Sequence, residues 1–302
     1  MNAPSVAKDY FTRVMSSFAI DVPRLSLFRF RTRVGIKFSG KFISSIDGQT
    51  GGSKFHWASI IFYLGAFSVQ ADELPSVTPY RPTISNPAEL SAPRHLEIEA
   101  GFEHGSGAGL AKHLAAPVTL KYALNEDWGV LLNSGWLYED SRDGPLLDGW
   151  NSTSLLIKHR HLLNDAQALG IEFGLATPAD AGHFTQGQPD LLLNTIYSVD
   201  IDKTRVDANL GFTRLGDTET SIDRHQYQWA LAVSHPVTDD WSLAAEWAGN
   251  VREGSSAYNQ LLLCAAYGLS RTIVIDMGGA YGLSGDSAAT QNVFMGVSWL
   301  ID

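Results

Sequence analysis

Apolar and polar residues alternate along most of the chain after residue 94. The first such stretch, Leu96–Glu103, reads LEIEAGFE. A period of two over about 8 residues is typical of a β-strand with one face in an apolar medium. The pattern recurs and predicts twelve strands, whose apolar faces lie at Leu96–Phe102, Val118–Leu124, Trp128–Trp136, Thr153–Ile157, Leu169–Leu175, Leu191–Val199, Val206–Phe212, Tyr227–Val233, Trp241–Trp247, Leu261–Leu269, Ile273–Tyr281 and Val293–Trp299.

The connections between these strands alternate in length. Short, turn-forming segments such as Asn125–Asp127 and Thr238–Asp240 follow the even strands. Long polar or Gly-rich segments follow the odd strands, at Gly105–Ala115, Glu139–Trp150, Pro178–Pro189, Leu215–Arg224, Arg252–Ala257 and Gly282–Thr290. An even strand count with short turns at one end and longer loops at the other is typical of a bacterial outer-membrane barrel. We therefore predict an all-β fold, a twelve-stranded antiparallel transmembrane β-barrel with short periplasmic turns and longer outer loops.

Aromatic residues on the apolar faces gather at both ends of the predicted strands. One group lies beside the short turns and comprises Tyr122, Trp128, Tyr197, Trp241, Tyr267 and Trp299. The other group lies at the opposite ends and comprises Phe102, Trp136, Phe212, Tyr227, Trp229, Trp247 and Tyr281. Two such bands match the aromatic girdles at the two interfaces of a membrane. A soluble lipocalin-like barrel or sandwich is the alternative fold, but it would expose this belt to water.

Charge divides the chain near residue 71. Residues 1–71 hold nine Lys and Arg against three Asp and Glu, whereas residues 72–302 hold 13 against 29. An acidic body repels phosphates, so we expect no nucleic-acid partner. Cys264 is the only cysteine, which excludes an internal disulfide and a cysteine-based zinc cluster.

The stretch 54–71 has the three-part layout of a secretory signal peptide. Lys54 precedes an uncharged apolar run, Trp57–Val69, and the expected cleavage falls between Ala71 and Asp72. The run is shorter than the roughly 20 residues of a membrane-spanning helix. Residues 1–53 are then a doubtful extension, from a start-site error or as a transit peptide, and residues 72–93 a Pro-rich periplasmic lead-in. Residues 94–302 form the barrel.

Charged residues also occupy the inward positions of the predicted strands. These candidate pore-lining residues are Glu97, Glu99, Lys121, Lys158, Arg160, Glu172, Arg205, Asp207, Glu246 and Asp276. They can form a charged constriction that selects permeants, or a structural network of paired charges. The set has two more acids than bases, which predicts easier passage for neutral or cationic solutes than for anions.

Several stretches are similar to a known family. Pro79–Pro93 (PYRPTISNPAELSAP) leads into Leu96–Gly101, and partial matches follow at Asp127–Val130 and Asn209–Gly216. These motifs resemble the "MetA-pathway of phenol degradation" transporter-like family over about residues 79–300. The resemblance implies a channel in the bacterial outer membrane for small molecules, with aromatic or hydrophobic ones among the expected cargo, and it implies no catalytic residues. One departure from outer-membrane proteins in general is the end of the chain, Trp299–Asp302, which lacks the terminal aromatic residue that the assembly machinery reads.

Other functions remain open on the sequence. His104 and Ser106 fall on one face of the first strand, the pairing that a lipid hydrolase uses for nucleophilic attack. A closed structural or adhesive barrel without transport is a further alternative. His159 and His161 share an outward face without a carboxylate, so we expect no metal site there, and we expect no cofactor. The expected partners are outer-membrane lipid, the assembly machinery and a small permeant whose identity stays open.

Overall fold

The computed structural model describes residues 75–107, 110–141, 146–177, 187–216, 223–255, 257–285 and 290–301. The predicted signal peptide, its cleavage site and the extension 1–53 lie outside these residues. None of the described residues forms a helix long and apolar enough to cross a membrane.

Thirteen strands make one antiparallel sheet. They are β1 (Leu96–Gly107), β2 (Leu110–Ala123), β3 (Trp128–Ser141), β4 (Leu147–Trp150), β5 (Ser154–Asn164), β6 (Gln167–Ala176), β7 (Asp190–Ile201), β8 (Thr204–Arg214), β9 (His225–Pro236), β10 (Trp241–Arg252), β11 (Tyr258–Gly268), β12 (Ile273–Gly285) and β13 (Gln291–Ile301). Strands adjacent in sequence pair with each other, except that β5 pairs with β3 and not with β4, and β1 pairs with both β2 and β13. The sheet is thereby closed, and twelve of its strands form the wall of a barrel, as predicted.

The strand β4 is the exception to this count. It is four residues long and pairs only with the outer end of β3, where Trp136 lies opposite Trp150. A break of three residues then separates β4 from β5. The strand β5 pairs with the short-turn half of β3, from Trp128 to Asn133. Across the break, the Asn151 amide donates to the Gly135 carbonyl at 2.8 Å. The predicted loop Glu139–Trp150 is therefore partly strand.

The outer connection between β1 and β2 is also shorter than predicted. Ladder pairs continue past the expected loop start at Gly105, which lies opposite His113. The Gly residues at 105 and 107 suggest a loop in the sequence, but β-pairing with the neighbouring strands overrides their weak strand propensity. All twelve barrel strands otherwise include the predicted apolar faces to within a few residues at their ends.

The alternation of apolar and polar residues along each strand gives the barrel wall an apolar outer surface and a polar inner surface. Large apolar side chains on the outward positions are exposed, as at Leu155, Ile157, Phe173 and Leu175 on the neighbouring strands β5 and β6. The inward positions of the same strands hold buried residues such as Lys158 and Glu172. A continuous exposed apolar belt is stable in lipid and not in water. The barrel is thus inverted relative to a soluble protein, with its polar residues inside.

Aromatic residues edge this belt at both ends. Trp128 stacks on His159 beside the short turns, with ring centroids 4.3 Å apart, and Trp241 lies 4.9 Å from Tyr267. Phe212 and Tyr227 pair at the opposite end, at 5.6 Å. The two predicted girdles are present.

Candidate functional site

Residues 75–93 lie inside the barrel, and we call this segment the lumen strap. The strap enters at the short-turn end, where the Val77 amide donates to the Arg271 carbonyl at 2.9 Å. It reaches the middle of the lumen at Ser85, whose amide binds Glu246 midway along β10. It then returns to the short-turn end, where Pro93 bridges to Ala123. The segment is extended, as its prolines predict, but it fills the lumen instead of lying in the periplasm ahead of the barrel.

The first strap anchor is formed by β1 and β2. Glu99 accepts hydrogen bonds from the amides of Tyr80 at 2.7 Å and Arg81 at 3.1 Å. Lys121 Nζ lies 2.6 Å from Glu99 and 2.8 Å from Glu97 Oε2. The contact with Glu97 Oε2 lacks hydrogen-bond geometry, so we treat it as an attraction between charges. A single lysine therefore neutralises two buried carboxylates, and both hold the strap, since Glu97 accepts from the Thr78 amide at 3.1 Å.

The second anchor surrounds the Tyr80 side chain. Lys158 Nζ lies 3.1 Å from Glu172 and donates to the Tyr80 hydroxyl at 2.9 Å. The Tyr80 hydroxyl in turn donates to the Glu89 carbonyl at 2.5 Å. The ammonium groups of Lys121 and Lys158 lie 4.0 and 4.1 Å from the ring centroid, within cation–π range. Burial raises the pKa of the Tyr80 phenol well above its ordinary value, so the hydroxyl keeps the proton that it donates.

The tip of the strap is held by a third set of contacts. Glu246 accepts from the amides of Ile84 at 2.9 Å and Ser85 at 2.6 Å. The Asn86 side-chain amide donates to both oxygens of Glu172 at 3.0 Å. The carboxylates therefore satisfy backbone donors that would otherwise be buried without partners.

Arg81 crosses the inner faces of β1 and β13 to reach β12. Its guanidinium lies 3.3 Å from Asp276. A Cβ atom at Gly101 or at Gly296 would lie 2.4 Å from an atom of the Arg81 guanidinium group. These two inward glycines make room for the side chain, so the strap and the wall fit each other in shape as well as in charge.

Arg205 makes the last charged contact, near the short-turn end. It pairs with Glu89 of the strap, with Asp207 at 3.2 Å and with the exposed Asp200 at 3.3 Å. Arg160 forms no ion pair among the described residues, and its Nε is buried without a hydrogen-bond partner. Of the two inward cations of β5, Lys158 and Arg160, only Lys158 thus pairs with Glu172.

The ten predicted inward charges consequently have a common location but different roles. All of them are on the lumen side of the wall. Eight contact the strap through their side chains, and these are Glu97, Glu99, Lys121, Lys158, Glu172, Arg205, Glu246 and Asp276. The charges act first as a scaffold for the strap, which corresponds to the structural-network interpretation of the sequence.

Over the described residues, cavities lie between the strap and the wall, and they include an inner, an outer and a side cavity. The inner cavity, of about 470 Å³, lies at the short-turn end between the strap and β8–β12. The outer cavity, of about 300 Å³, lies on the opposite side of the strap tip, and a side cavity of about 250 Å³ adjoins it. Ile84 and Tyr258 line both the outer and the side cavity. Ile84 and Asn86 of the strap line the outer cavity, whereas Pro82, Thr83 and Pro87 line the inner cavity, so the tip lies between these two cavities.

The two outward histidine sites show no catalytic or metal-binding arrangement. His104 and Ser106 are exposed and share no hydrogen bond, and the cross-strand neighbours of His104 are Leu114 and Val293, which cannot orient an imidazole. His159 stacks on Trp128 and contacts the Asp127 carbonyl at 3.1 Å. Within the described ranges, no group of three or more potential metal ligands occurs. Cys264 is a free, buried thiol facing the lumen.

Comparison with known proteins locates the fold. No family model matches the chain, and no curated protein matches it. Among solved structures, it is similar to the COG4313 outer membrane channel from Pseudomonas putida F1, with 14% identity, 71% of this chain and 98% of that chain covered, and a TM-score of 0.54. It is also similar to the KdgM porin in complex with disordered oligogalacturonate, with 10% identity, 68% of this chain and 99% of that chain covered, and a TM-score of 0.49. For the CymD monoaromatic hydrocarbon channel, the identity is 12%, the covered shares are 69% of this chain and 88% of that chain, and the TM-score is 0.44.

At these identities the likeness is one of fold. The fold is that of outer-membrane channels, and the closed wall with its apolar belt and two aromatic girdles fits lipid on its own evidence. The chain is a barrel of the bacterial outer membrane.

Proposed function

We propose that the chain is a passive outer-membrane channel for small molecules, and that the lumen strap closes it. The observation that carries this proposal is the position of the strap tip between the inner and the outer cavity. The tip itself is held by hydrogen bonds to Glu246 and Glu172, and such contacts can exchange. The resemblance to the phenol-degradation family is consistent with this function and adds aromatic or hydrophobic molecules to the candidate permeants.

A permeant would pass along the part of the wall that lies opposite the main strap anchors. Along the inner face of β9 to β11 lie Ala232, Ser234, Ala244, Cys264 and Ala266, all of which line the inner cavity. These short side chains leave space between the strap and the wall. The route narrows where Ile84 and Ser85 are bound to Glu246. Displacing the tip by a small distance would join the inner and outer cavities.

Conductance across planar lipid bilayers tests the proposal. Glu246→Ala removes both carboxylate oxygens that accept from the Ile84 and Ser85 amides, so we expect larger or longer openings than in the wild type. Glu126→Ala, in the exposed turn between β2 and β3, removes the same carboxylate away from the lumen and should match the wild type. Absence of conductance in all three proteins would refute the channel and favour the closed structural barrel. Lipid hydrolysis that is lost in Ser106→Ala would favour the enzyme instead.

Export and assembly belong to the same proposal. A signal peptide at 54–71 that directs export and is cut after Ala71 would give a mature chain starting at Asp72, which N-terminal sequencing of the membrane-inserted protein can check. Recovery of residues 1–53 on that protein would overturn the suggested start-site error. Lipid and the outer-membrane assembly machinery remain the proposed partners, and neither a cofactor nor nucleic acid enters the proposal.

A further inference from the structure

The outer cavity differs in chemistry from the part of the lumen that holds the strap. Its inward-facing wall carries the carboxamides of Asn133, Asn194, Asn209, Gln228 and Asn250. Ser154, Thr213 and Tyr258 add hydroxyl groups, and Leu156 and Leu192 add apolar surface. The lining is rich in neutral dipoles.

Among the described residues, the one ionised side chain of this lining is already neutralised. Glu172 lies 3.1 Å from Lys158 and accepts hydrogen bonds from the side-chain amides of Asn86 and Asn194, each at 3.0 Å. It is also 2% exposed, so it presents almost no surface to the cavity. Within the described lining, a solute in the outer cavity therefore contacts amides, hydroxyls and apolar groups, without a free charge.

Several of these amide groups keep hydrogen-bonding capacity. The Asn194 amino group binds Glu172 and Asn209, but no described residue donates to its carbonyl oxygen. Gln228 donates to Thr213 at 3.0 Å, and its carbonyl oxygen likewise has no donor among the described residues. No hydrogen bond from the described part of the chain reaches the side chain of Asn250. Both donors and acceptors are thus available to a guest.

We infer that the outer cavity is a binding site for uncharged solutes of about monosaccharide size that carry several hydroxyl or amide groups. Amides supply donors and acceptors in equal measure, which matches hydroxyl groups, whereas a full charge would lose its hydration without meeting an opposite charge. A volume of about 300 Å³ is at the lower end of small-molecule sites. This inference rests on the proposed channel and names the class of solute that the channel admits.

The inference differs from the selectivity that the inward charges suggest in the sequence. Six acids and four bases predict a preference for cations over anions, but eight of these ten residues bind the strap. Paired charges in an inner scaffold exert less influence on a solute in the outer cavity. We expect neutral solutes to be favoured over both kinds of ion.

Binding is measured separately from transport. The probes are glucose, gluconate and glucosamine, which have similar size and carry no charge, one negative and one positive charge at neutral pH. Saturation-transfer NMR on the full chain, in a detergent without a sugar head group, should give a signal from glucose about tenfold stronger than from either charged probe. Equal signals from the three probes, or none from glucose, would overturn the inference.

A charge introduced at Asn250 locates the site. Asn250→Asp should strengthen the glucosamine signal about tenfold and weaken the glucose signal, because it adds an unpaired carboxylate to the cavity. Asn164→Asp makes the same change in an exposed short turn, where the side chain still accepts from Ala166, and should leave all three signals unchanged. Identical signals for the Asn250→Asp variant and the wild type would place the bound solute elsewhere and overturn the assignment.

Swelling of proteoliposomes in the same three solutes separates the two proposals. If glucose binds but no solute enters, in the wild type and in Glu246→Ala alike, the proposed channel is refuted and the proposed binding site is still supported. Entry of all three solutes at equal rates without selective glucose binding would support the channel and refute the site.

Discussion

The inner and outer parts of the lumen differ in the residues that line them and in what those residues bind. In the inner part, lysines and carboxylates are almost fully buried and bind a segment of the same chain, as Lys121 and Glu99 do. In the outer part, amides and hydroxyls surround an empty volume of about 300 Å³. The inward polar residues of this barrel therefore have two roles, which are to hold the strap and to contact a solute. The charged residues have the first role.

Physical chemistry accounts for this division. A buried charge is tolerated only when it is paired and hydrogen-bonded, and the strap offers many backbone amides and carbonyls as partners. An amide can face a partly hydrated cavity at much smaller cost, because its desolvation free energy is lower than that of an ion. Substitutions in the inner part should therefore affect stability strongly, and those in the outer part should affect binding.

Lys158→Met should produce the largest loss of stability. The change leaves Glu172 buried without its cation and removes donors to the Tyr80 hydroxyl and the Pro87 carbonyl. We expect the free energy of unfolding to fall by about 3–5 kcal/mol, as for other buried pairs that lose one partner. Urea titration of the barrel refolded in lipid vesicles measures this change.

The matched control for that variant is Lys112→Met. Lys112 is an exposed residue near the outer end of β2, and its ammonium lies 5.3 Å from the Tyr138 ring. Removing an exposed cation–π contact should cost about 0.5–1 kcal/mol. Equal losses in the two variants would show that the inner network contributes no more than surface charge does.

Glu172→Gln should have the next largest effect. The substituted amide would keep an acceptor for Asn86 or Asn194, but Lys158 would lose its carboxylate. Replacing a hydrogen bond to a charged group should cost about 1.5–3 kcal/mol of unfolding free energy. The unbalanced lysine should also shift ion preference toward anions, which reversal potentials across a salt gradient can detect. An unchanged potential alongside reduced stability would mean that the pair does not border the conducting path.

The wall of this barrel could be predicted from the sequence because each strand carries its own signal. A period of two identifies which residues face lipid, and the alternation of loop lengths gives the topology. Signals of this local kind predicted all twelve wall strands. They did not predict β4, whose four residues are too short to show a period, or the continued pairing beyond Gly105.

The strap could not be placed from the sequence, because its partners are distant. Its prolines indicate an extended segment but not where that segment lies. Ile84 and Ser85 meet Glu246 across about 160 residues of chain. One signal was available in the sequence. The inward positions of β1 and β13 include Gly101 and Gly296, and glycine at such positions indicates that another group approaches the wall closely. The ten inward charges lie on the lumen side of the wall, but their strap contacts required the structure, and their role as pore-lining residues stays a prediction.

Gly296→Ala tests the fit between the strap and the wall, with a smaller effect. The new Cβ would lie 2.4 Å from the Arg81 Nε and 2.7 Å from the Ala100 carbonyl oxygen. Arg81 would have to move from its position beside Asp276, and the backbone contact cannot be relieved by a rotamer change. We expect a loss of about 1–2 kcal/mol in urea titrations, within the range for overpacking.

Gly268→Ala is the control for this substitution. A Cβ at Gly268 meets only the Asp240 carbonyl oxygen at 3.8 Å, which is an ordinary contact. The control should unfold at the urea concentration of the wild type to within measurement error. A similar loss in both variants would indicate a general effect of alanine on the strands rather than a fit between the strap and the wall.

Asn250→Leu should have the smallest effect on stability and so separates the two parts of the lumen most clearly. The Asn250 side chain has no hydrogen bond to the described residues, so its loss leaves no protein group unsatisfied. We expect the free energy of unfolding to change by about 0.5 kcal/mol or less. The glucose signal in saturation-transfer NMR should nevertheless fall, because an amide of the outer cavity becomes an isobutyl group of similar size. A stability loss as large as that of Lys158→Met would mean that the outer amides also act as structural supports, and the division between the two parts of the lumen would then be wrong.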